Sequence, residues 1–210
     1  MLVALEGVDA CGKNTQARML AQAVDDTGSV GIVFSFPRYH TTVGQVILRH
    51  LKDTVYLADN STISEHKWPQ RAPEDALVFQ CLMLVDKVEA SFDIRNALLV
   101  GHTVICDRWW QSAYAFGVAD GLDPGWLTRV HSELPQATVN IFIDVPPEEA
   151  LRRRPEARDR YERDREKQIK VRANYELLWK DAGVDYVKID GVGTPEQVHA
   201  RIWHAIVSRP

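Results

Sequence analysis

An α/β protein, with a five-stranded parallel sheet covered by helices on both faces, is the fold class that this 210-residue chain predicts. Three observations point to it. Short apolar, β-branched runs alternate with longer stretches of helical periodicity, a glycine-rich turn joins the first run to the first helical stretch, and several later runs end in polar residues at the same relative place. Strands buried on both faces read as continuous apolar runs, and five occur, at 2–6, 31–35, 103–106, 139–143 and 185–189. Helical patterns fill the gaps at 13–24, 43–51, 74–100, 124–134, 147–153, 160–182 and 195–208. The polar segment 53–73, with prolines near its end, reads as a surface insertion. No repeat, low-complexity tract or linker divides the chain, so a single domain over 1–210 with one sizeable core is expected.

The first element carries the sharpest signal. After the apolar run from Leu2 comes Gly7-Val8-Asp9-Ala10-Cys11-Gly12-Lys13-Asn14-Thr15, which opens into the helical stretch that begins at Lys13. A bend lined with backbone N–H groups at a helix N-terminus offers donors and a positive dipole end to phosphate oxygens, and Lys13 adds a full charge. This is the order of parts in a phosphate-binding P-loop. One position departs from the usual spelling, because Asn14 stands where Ser or Thr would ligate Mg²⁺. Cys11 lies in the loop, either as a thiol of lowered pKa at the helix N-terminus or as a small filler.

The second strand is followed by Phe36-Pro37-Arg38-Tyr39, the third by Asp107-Arg108-Trp109 and the fourth by Asp144-Val145-Pro146-Pro147. Ligands of parallel sheets bind beyond the carboxyl ends of the strands, so Arg38 and Arg108 mark a second anion site facing the P-loop. Within the long helical stretch 74–100, positions 76–85 are apolar almost all round and predict burial. Between 152 and 165 seven arginines interleave with Glu156, Asp159, Glu162 and Asp164. Beyond them Val171, Tyr175, Leu178 and Ala182 keep the spacing of an ordinary core face.

Composition narrows the function classes. A net charge of -4, with charges of both signs spread along the chain, provides no general field for nucleic acid or an acidic membrane surface. No basic segment followed by a long apolar stretch opens the chain, and no window approaches a membrane span. Three cysteines without metal-ligand spacing, and histidines without an i, i+4 pair, suggest reduced thiols in a cytoplasm.

Taken together, these motifs resemble the thymidylate kinase family of P-loop nucleoside monophosphate kinases. The matching stretches run from Leu5-Glu6-Gly7-Val8-Asp9 to Lys13-Asn14-Thr15-Gln16, then Phe36-Pro37-Arg38-Tyr39, Asp107-Arg108-Trp109 with Ser112, and Asp159-Arg160-Tyr161-Glu162-Arg163. They fall in family order across nearly the whole chain. The residue after the loop lysine and the Tyr161-Glu162 pair are closest to the mycobacterial-type branch. The resemblance implies a three-layer P-loop kinase fold with an arginine-rich lid over about 150–163, ATP and Mg²⁺ as donor and metal, nucleotides as the small-molecule partners, and a homodimer.

It also implies roles. Lys13 and Thr15 hold donor phosphates, Arg108 grips the acceptor phosphate with Arg38 and Tyr39 assisting, and Arg153 and Arg158 are the lid's candidate cations. Asp9, Asp107 and Glu162 are the expected metal-side carboxylates, and Tyr161 lies near the sugar. Phe116 falls beneath the sugar's 2′ position, while Phe36 and Ser112 belong to the acceptor loops.

The base pocket departs from the family. Alignment on Asp86-Lys87 puts Lys87 where an arginine reads the base and Met83 where an aromatic stacks, with Phe79 one turn earlier as another ring. Lys87 then has a base carbonyl or a phosphate as its partner, or is a surface lysine. Three functions therefore stand: phosphorylation of dTMP to dTDP, phosphorylation of another deoxypyrimidine monophosphate or a deoxynucleoside, and nucleotide binding without catalysis. Because a monophosphate acceptor is already anionic near neutral pH, the first needs no general base. It needs alignment and charge neutralisation.

Overall fold

Leu2–Glu6 forms strand β1, buried along its whole length at the centre of the sheet. Alternation along β1 sends Val3 and Leu5 to one face and Leu2 and Ala4 to the other. In this computed structural model, residues 1–52, 73–154, 161, 164–180, 183 and 185–209 are described. The predicted insertion at 53–73 lies outside them except for its last residue.

The chain continues through α1 (Lys13–Asp26), β2 (Gly31–Ser35), α2 (Thr42–Leu51), α3 (Pro73–Leu99) and β3 (Thr103–Asp107). It then runs through α4 (Trp110–Ala119), α5 (Pro124–Val130), β4 (Val139–Asp144), α6 (Pro147–Arg153), α7 (Arg165–Lys180), β5 (Tyr186–Asp190) and α8 (Pro195–Val207). All five strands are parallel in the order β2-β3-β1-β4-β5. The expected α/β class and five-stranded parallel sheet are therefore present. Ala17 and Leu20 of α1 and Val198 and Ile202 of α8 pack with Val3 and Leu5, while Ala90 and Ile94 of α3 pack with Leu2 and Ala4.

Register builds the site. Asp107 pairs with both Leu5 and Ser35, so β1, β2 and β3 end side by side and deliver Gly7, Phe36 and Arg108 to one edge. The order reverses between β1 and β3, and a crevice at that switch point is where open α/β sheets bind ligands.

Two differences from the sequence reading have clear causes. Helix α4 was absent from the expected elements, since Trp110–Ala119 is apolar nearly all round and interrupted by Gly117, which erases the 3.6-residue period. Gly117 is needed for close approach: a Cβ there would lie 2.8 Å from Leu127 Cδ1. Helix α3 is buried on one face only, through Ala76, Phe79, Gln80, Met83, Lys87, Ala90 and Ile94. Its other face leaves Leu77, Val85, Val88 and Phe92 exposed, so the all-round burial expected of 76–85 is not found within one chain.

Candidate active site

Gly7 starts the loop with φ +147°, and a Cβ on it would stand 2.7 Å from the Ile143 carbonyl oxygen and 2.8 Å from Cys11 Sγ. No larger residue fits that approach to β4. The loop closes on Gly12, the N-cap of α1, and no side chain caps the helix. Its first backbone N–H groups are thus left to a ligand, as the sequence predicts for a phosphate cradle. Lys13 is buried and its Nζ donates to the carbonyls of Gly7 (3.0 Å) and Val8 (2.7 Å), which hold the cation across the loop. Cys11 is 1% exposed beneath the loop, a burial that matches the filler reading rather than a reactive thiol.

Arg108 occupies the turn after β3 with φ +71°, a conformation uncommon for a non-glycine residue and concentrated at functional sites. Buried Glu6, at the end of β1, accounts for how the turn is held. Its Oε1 accepts from the backbone N–H groups of Trp109 (2.7 Å) and Ser112 (3.3 Å), a carboxylate seated at the N-terminus of α4. Its Oε2 accepts from the hydroxyls of Ser112 and Tyr175. Trp109 is fully buried and donates from Nε1 to the Pro135 carbonyl, 3.0 Å away, beside the Phe36 ring.

The guanidinium of Arg108 donates to Asp9 Oδ1 at 2.5 Å, to the Gly7 carbonyl at 3.2 Å and to the Ser112 hydroxyl at 3.2 Å, with Phe116 under it at 5.1 Å. Burial opposes its charge, but Asp9, with Tyr175, Asp107 and Glu6 behind it, holds its pKa above the ordinary arginine value. The cation of the turn after β3 is thus tied to the glycine-rich loop through Gly7 and Asp9.

A cavity of about 840 Å³ runs between these groups. One end is walled by Asp9, Ala10, Cys11, Gly12, Lys13, Asn14 and Thr15. Of the lid residues, Arg152, Arg153 and Arg154 line it; Arg153 donates to Glu149 (2.9 Å), the Gly191 carbonyl (2.9 Å) and the Cys11 carbonyl (3.4 Å), so its fork folds over the loop. Arg158 and Glu162 lie outside the described residues.

The other end is walled by Phe36, Tyr39, Phe79, Gln80, Met83, Arg108, Ser112, Ala113, Phe116 and Tyr161, with Asp107 also on the lining. Phe79 and Met83 both line it. The Phe79 ring stacks on Tyr161 at 5.3 Å, and Tyr161 meets Phe116 edge-on at 5.6 Å.

Two predicted residues stand behind the lining rather than on it. Arg38 donates from Nε to Asp86 Oδ1 (2.9 Å) and from Nη2 to Glu89 Oε2 (2.6 Å), which commits its fork to α3. Lys87 is fully buried, so the surface-lysine alternative falls; its Nζ donates to the Met83 carbonyl at 3.2 Å and lies 5.8 Å from the Phe36 ring centre. Burial lowers its pKa to about 8, against the pull of Asp86 and Glu6.

Three residues were missed. Glu6 stands inside a motif stretch, and a carboxylate that ends an apolar strand is the usable signal for it. Gln168 on α7 donates to Asp9 Oδ2 (2.9 Å) and to the Tyr161 carbonyl (3.0 Å), and accepts from the Asp9 N–H (3.3 Å). Nothing local distinguishes it from any polar helix residue. Gln80 sits inside the apolar stretch 76–85, where a lone amide was the signal to follow.

Among the described residues no cluster of three or more His, Cys, Asp and Glu side chains could hold a metal by itself. Mg²⁺ bound between phosphates needs only one or two protein carboxylates. Asp9 and Asp107, both on the cavity beside the loop, fit that donor set.

Comparisons with known proteins show the family. A family model described as thymidylate kinase matches residues 5–202. The thymidylate kinase of Schizosaccharomyces pombe is 30% identical over 204 residues, spanning 96% of this chain and 89% of that protein. A probable thymidylate kinase of Pyrococcus horikoshii is 35% identical over 203 residues, spanning 95% of this chain and 92% of that protein. Among solved structures, a thymidylate kinase from Candida albicans superposes with a TM-score of 0.76 at 22% identity, covering 99% of this chain and 91% of that one, a likeness of fold.

Proposed function

Because the chain belongs to the thymidylate kinase family, we infer that it transfers a phosphoryl group from a nucleotide donor to dTMP, making dTDP. It is a nucleoside monophosphate kinase. We read the donor as ATP with Mg²⁺, acting on one domain over 1–210. The observation that carries this reading is that Lys13 and Arg108 line one cavity from neighbouring strand ends and both donate to the Gly7 carbonyl.

In this reading the uncapped start of α1 and Lys13 bind the donor phosphates, and Arg108 binds the acceptor phosphate. The second pKa of a phosphate monoester is about 6, so the acceptor oxygen attacks as an anion and no side chain removes a proton. Catalysis then consists of holding donor and acceptor in line and neutralising the charge that spreads over the transferred group. Arg153 brings a planar fork toward that charge from the lid side. A bound Mg²⁺ neutralises donor phosphate charge, and Asp9 and Asp107 are the residues that would hold it. Phe116, under Arg108, leaves little room for a 2′-hydroxyl and favours a deoxyribose.

We also assign a homodimer built through α3. The exposed residues Leu77, Cys81, Val85, Val88 and Phe92 recur every three or four positions and form one apolar seam along a 27-residue helix. Sedimentation of Phe92→Asp as a monomer, against a dimeric parent, tests this assembly. Three unpaired cysteines fit a reducing cytoplasm. Among the described residues no helix is long and apolar enough to cross a membrane.

ADP release measured across a panel of nucleoside monophosphates tests the function. Turnover with dTMP above the other acceptors is expected. Background release with every acceptor would overturn the reading.

A further inference from the structure

The apolar end of the cavity contains a buried amide whose oxygen has no partner. Gln80 is 1% exposed, lines the cavity, and its Oε1 accepts no hydrogen bond. A buried carbonyl without a donor is costly, and natural folds keep few of them. Where such a group lines a binding cavity, a ligand can supply the missing donor.

Its surroundings fix both position and purpose. Gln80 lies on α3 between Phe79 and Met83, and its Cγ packs over Gly117 of α4, where an added Cβ would stand 3.5 Å away. Of the residues that α3 and α4 contribute to the lining, only Gln80 and Ser112 carry an amide or hydroxyl. The Ser112 hydroxyl is already engaged by Glu6, Tyr175 and Arg108. Lys87, the other candidate on α3, is packed behind the lining, and Ala113 has no polar side-chain atom.

We propose that Gln80 reads the base of the acceptor nucleotide, its Oε1 accepting the ring N3–H of a 4-oxopyrimidine and its amide nitrogen donating to an adjacent ring carbonyl. This rests on the reading of the cavity as a nucleoside monophosphate site. The planar amide presents its carbonyl oxygen and one N–H side by side, which matches the adjacent N3–H and ring carbonyl of thymine or uracil. Phe79, Met83 and Phe116 then supply apolar contact, and Gln80 supplies the discrimination that apolar walls cannot.

Steady-state kinetics of wild type, Gln80→Leu and Gln80→Met with dTMP and N3-methyl-dTMP test the assignment. Wild type should prefer dTMP by about tenfold or more in kcat/KM, because methylation removes the donor that Oε1 needs. In Gln80→Leu the KM for dTMP should rise by about ten- to a hundredfold while the KM for ATP is unchanged, and the preference should shrink to within about threefold. Gln80→Met keeps the side-chain length without the amide and serves where the leucine variant unfolds early. An unchanged KM for dTMP, or an undiminished preference in the folded variants, would overturn the role of Gln80 alone. Absence of turnover by wild type with every monophosphate would overturn the kinase reading together with it.

Discussion

The donor end of the cavity is made from one stretch of chain, whereas the acceptor end is assembled from α2, α3, α4, Tyr161 and the turns after β2 and β3. In the proposed reading residues 7–15 are the phosphate cradle, because backbone N–H groups at a helix N-terminus point the same way whatever packs around them. The acceptor end has no such local unit. The Arg108 guanidinium is held there by Asp9 from the loop and Ser112 from α4, and Glu6 from β1 holds the next residue, Trp109, by its backbone N–H. A contiguous site keeps its geometry through covalent bonds, while an assembled one keeps it through packing and shared hydrogen bonds.

That contrast predicts different kinds of damage. Lys13→Ala removes a charge from the contiguous end and should lower kcat by about a thousandfold or more, with dTMP binding retained in a calorimetric titration. Arg108→Ala should instead raise the KM for dTMP by about a hundredfold. Its effect on ATP affinity should stay within about threefold, although its guanidinium also bonds the Gly7 carbonyl. Equal loss of ATP affinity in the two variants would break the comparison, because the two ends would then be one unit.

Gln168→Leu probes the joint. It removes the amide that holds the backbone and carboxylate of Asp9 and the Tyr161 carbonyl, and should lower kcat about tenfold with less change in either KM. Gln168→Glu, which sets a second carboxylate against Asp9, should fall further. Retention of full activity by both would show that the loop needs no support from α7.

The smallest functional effect is expected behind the acceptor wall. Burial lowers the Lys87 pKa to about 8 from 10.5, so the unfolded chain keeps a proton that the folded chain releases between those values. In that window the unfolded state binds more protons, and stability gains from Lys87 as pH rises; below pH 8 both states are charged and the penalty is constant. Relative to Lys87→Met, the wild type should gain about 3 kcal/mol from pH 7.5 to 10.5 in urea unfolding. Taking the difference at each pH removes the part of the opposing loss from buried Cys106 that burial causes, and keeps the part that its coupling to Lys87 causes. Near-normal kinetics in Lys87→Met at neutral pH would place the lysine in the scaffold, whereas a large rise in the dTMP KM would put it back in the pocket.

How much of this was legible follows the same division. The strands, the P-loop with Lys13, and the Arg108 turn were readable because each is a local pattern: an apolar run, a glycine spacing, a charge at a strand end. The α4 helix was not readable, because a segment buried nearly all round carries no period. Arg38 and Lys87 look alike in sequence as cations near a phosphate site, yet one is spent on Asp86 and Glu89 and the other is sealed under Phe36. Sequence spacing along α3 put Met83 and Lys87 on the same helical face, but which of that face's residues open to the cavity depends on α4.

By itself, then, the sequence determined the parallel α/β class, the phosphate cradle and a second cation opposite it, since those follow from periodicity and from bonded neighbours. Only the tertiary structure decided which side chains line the cavity at that end: Gln80 is on its wall and Lys87 is not. The physical reason is burial: helix packing leaves one amide facing the cavity with its oxygen unpaired, while it closes over a charge four residues from Met83.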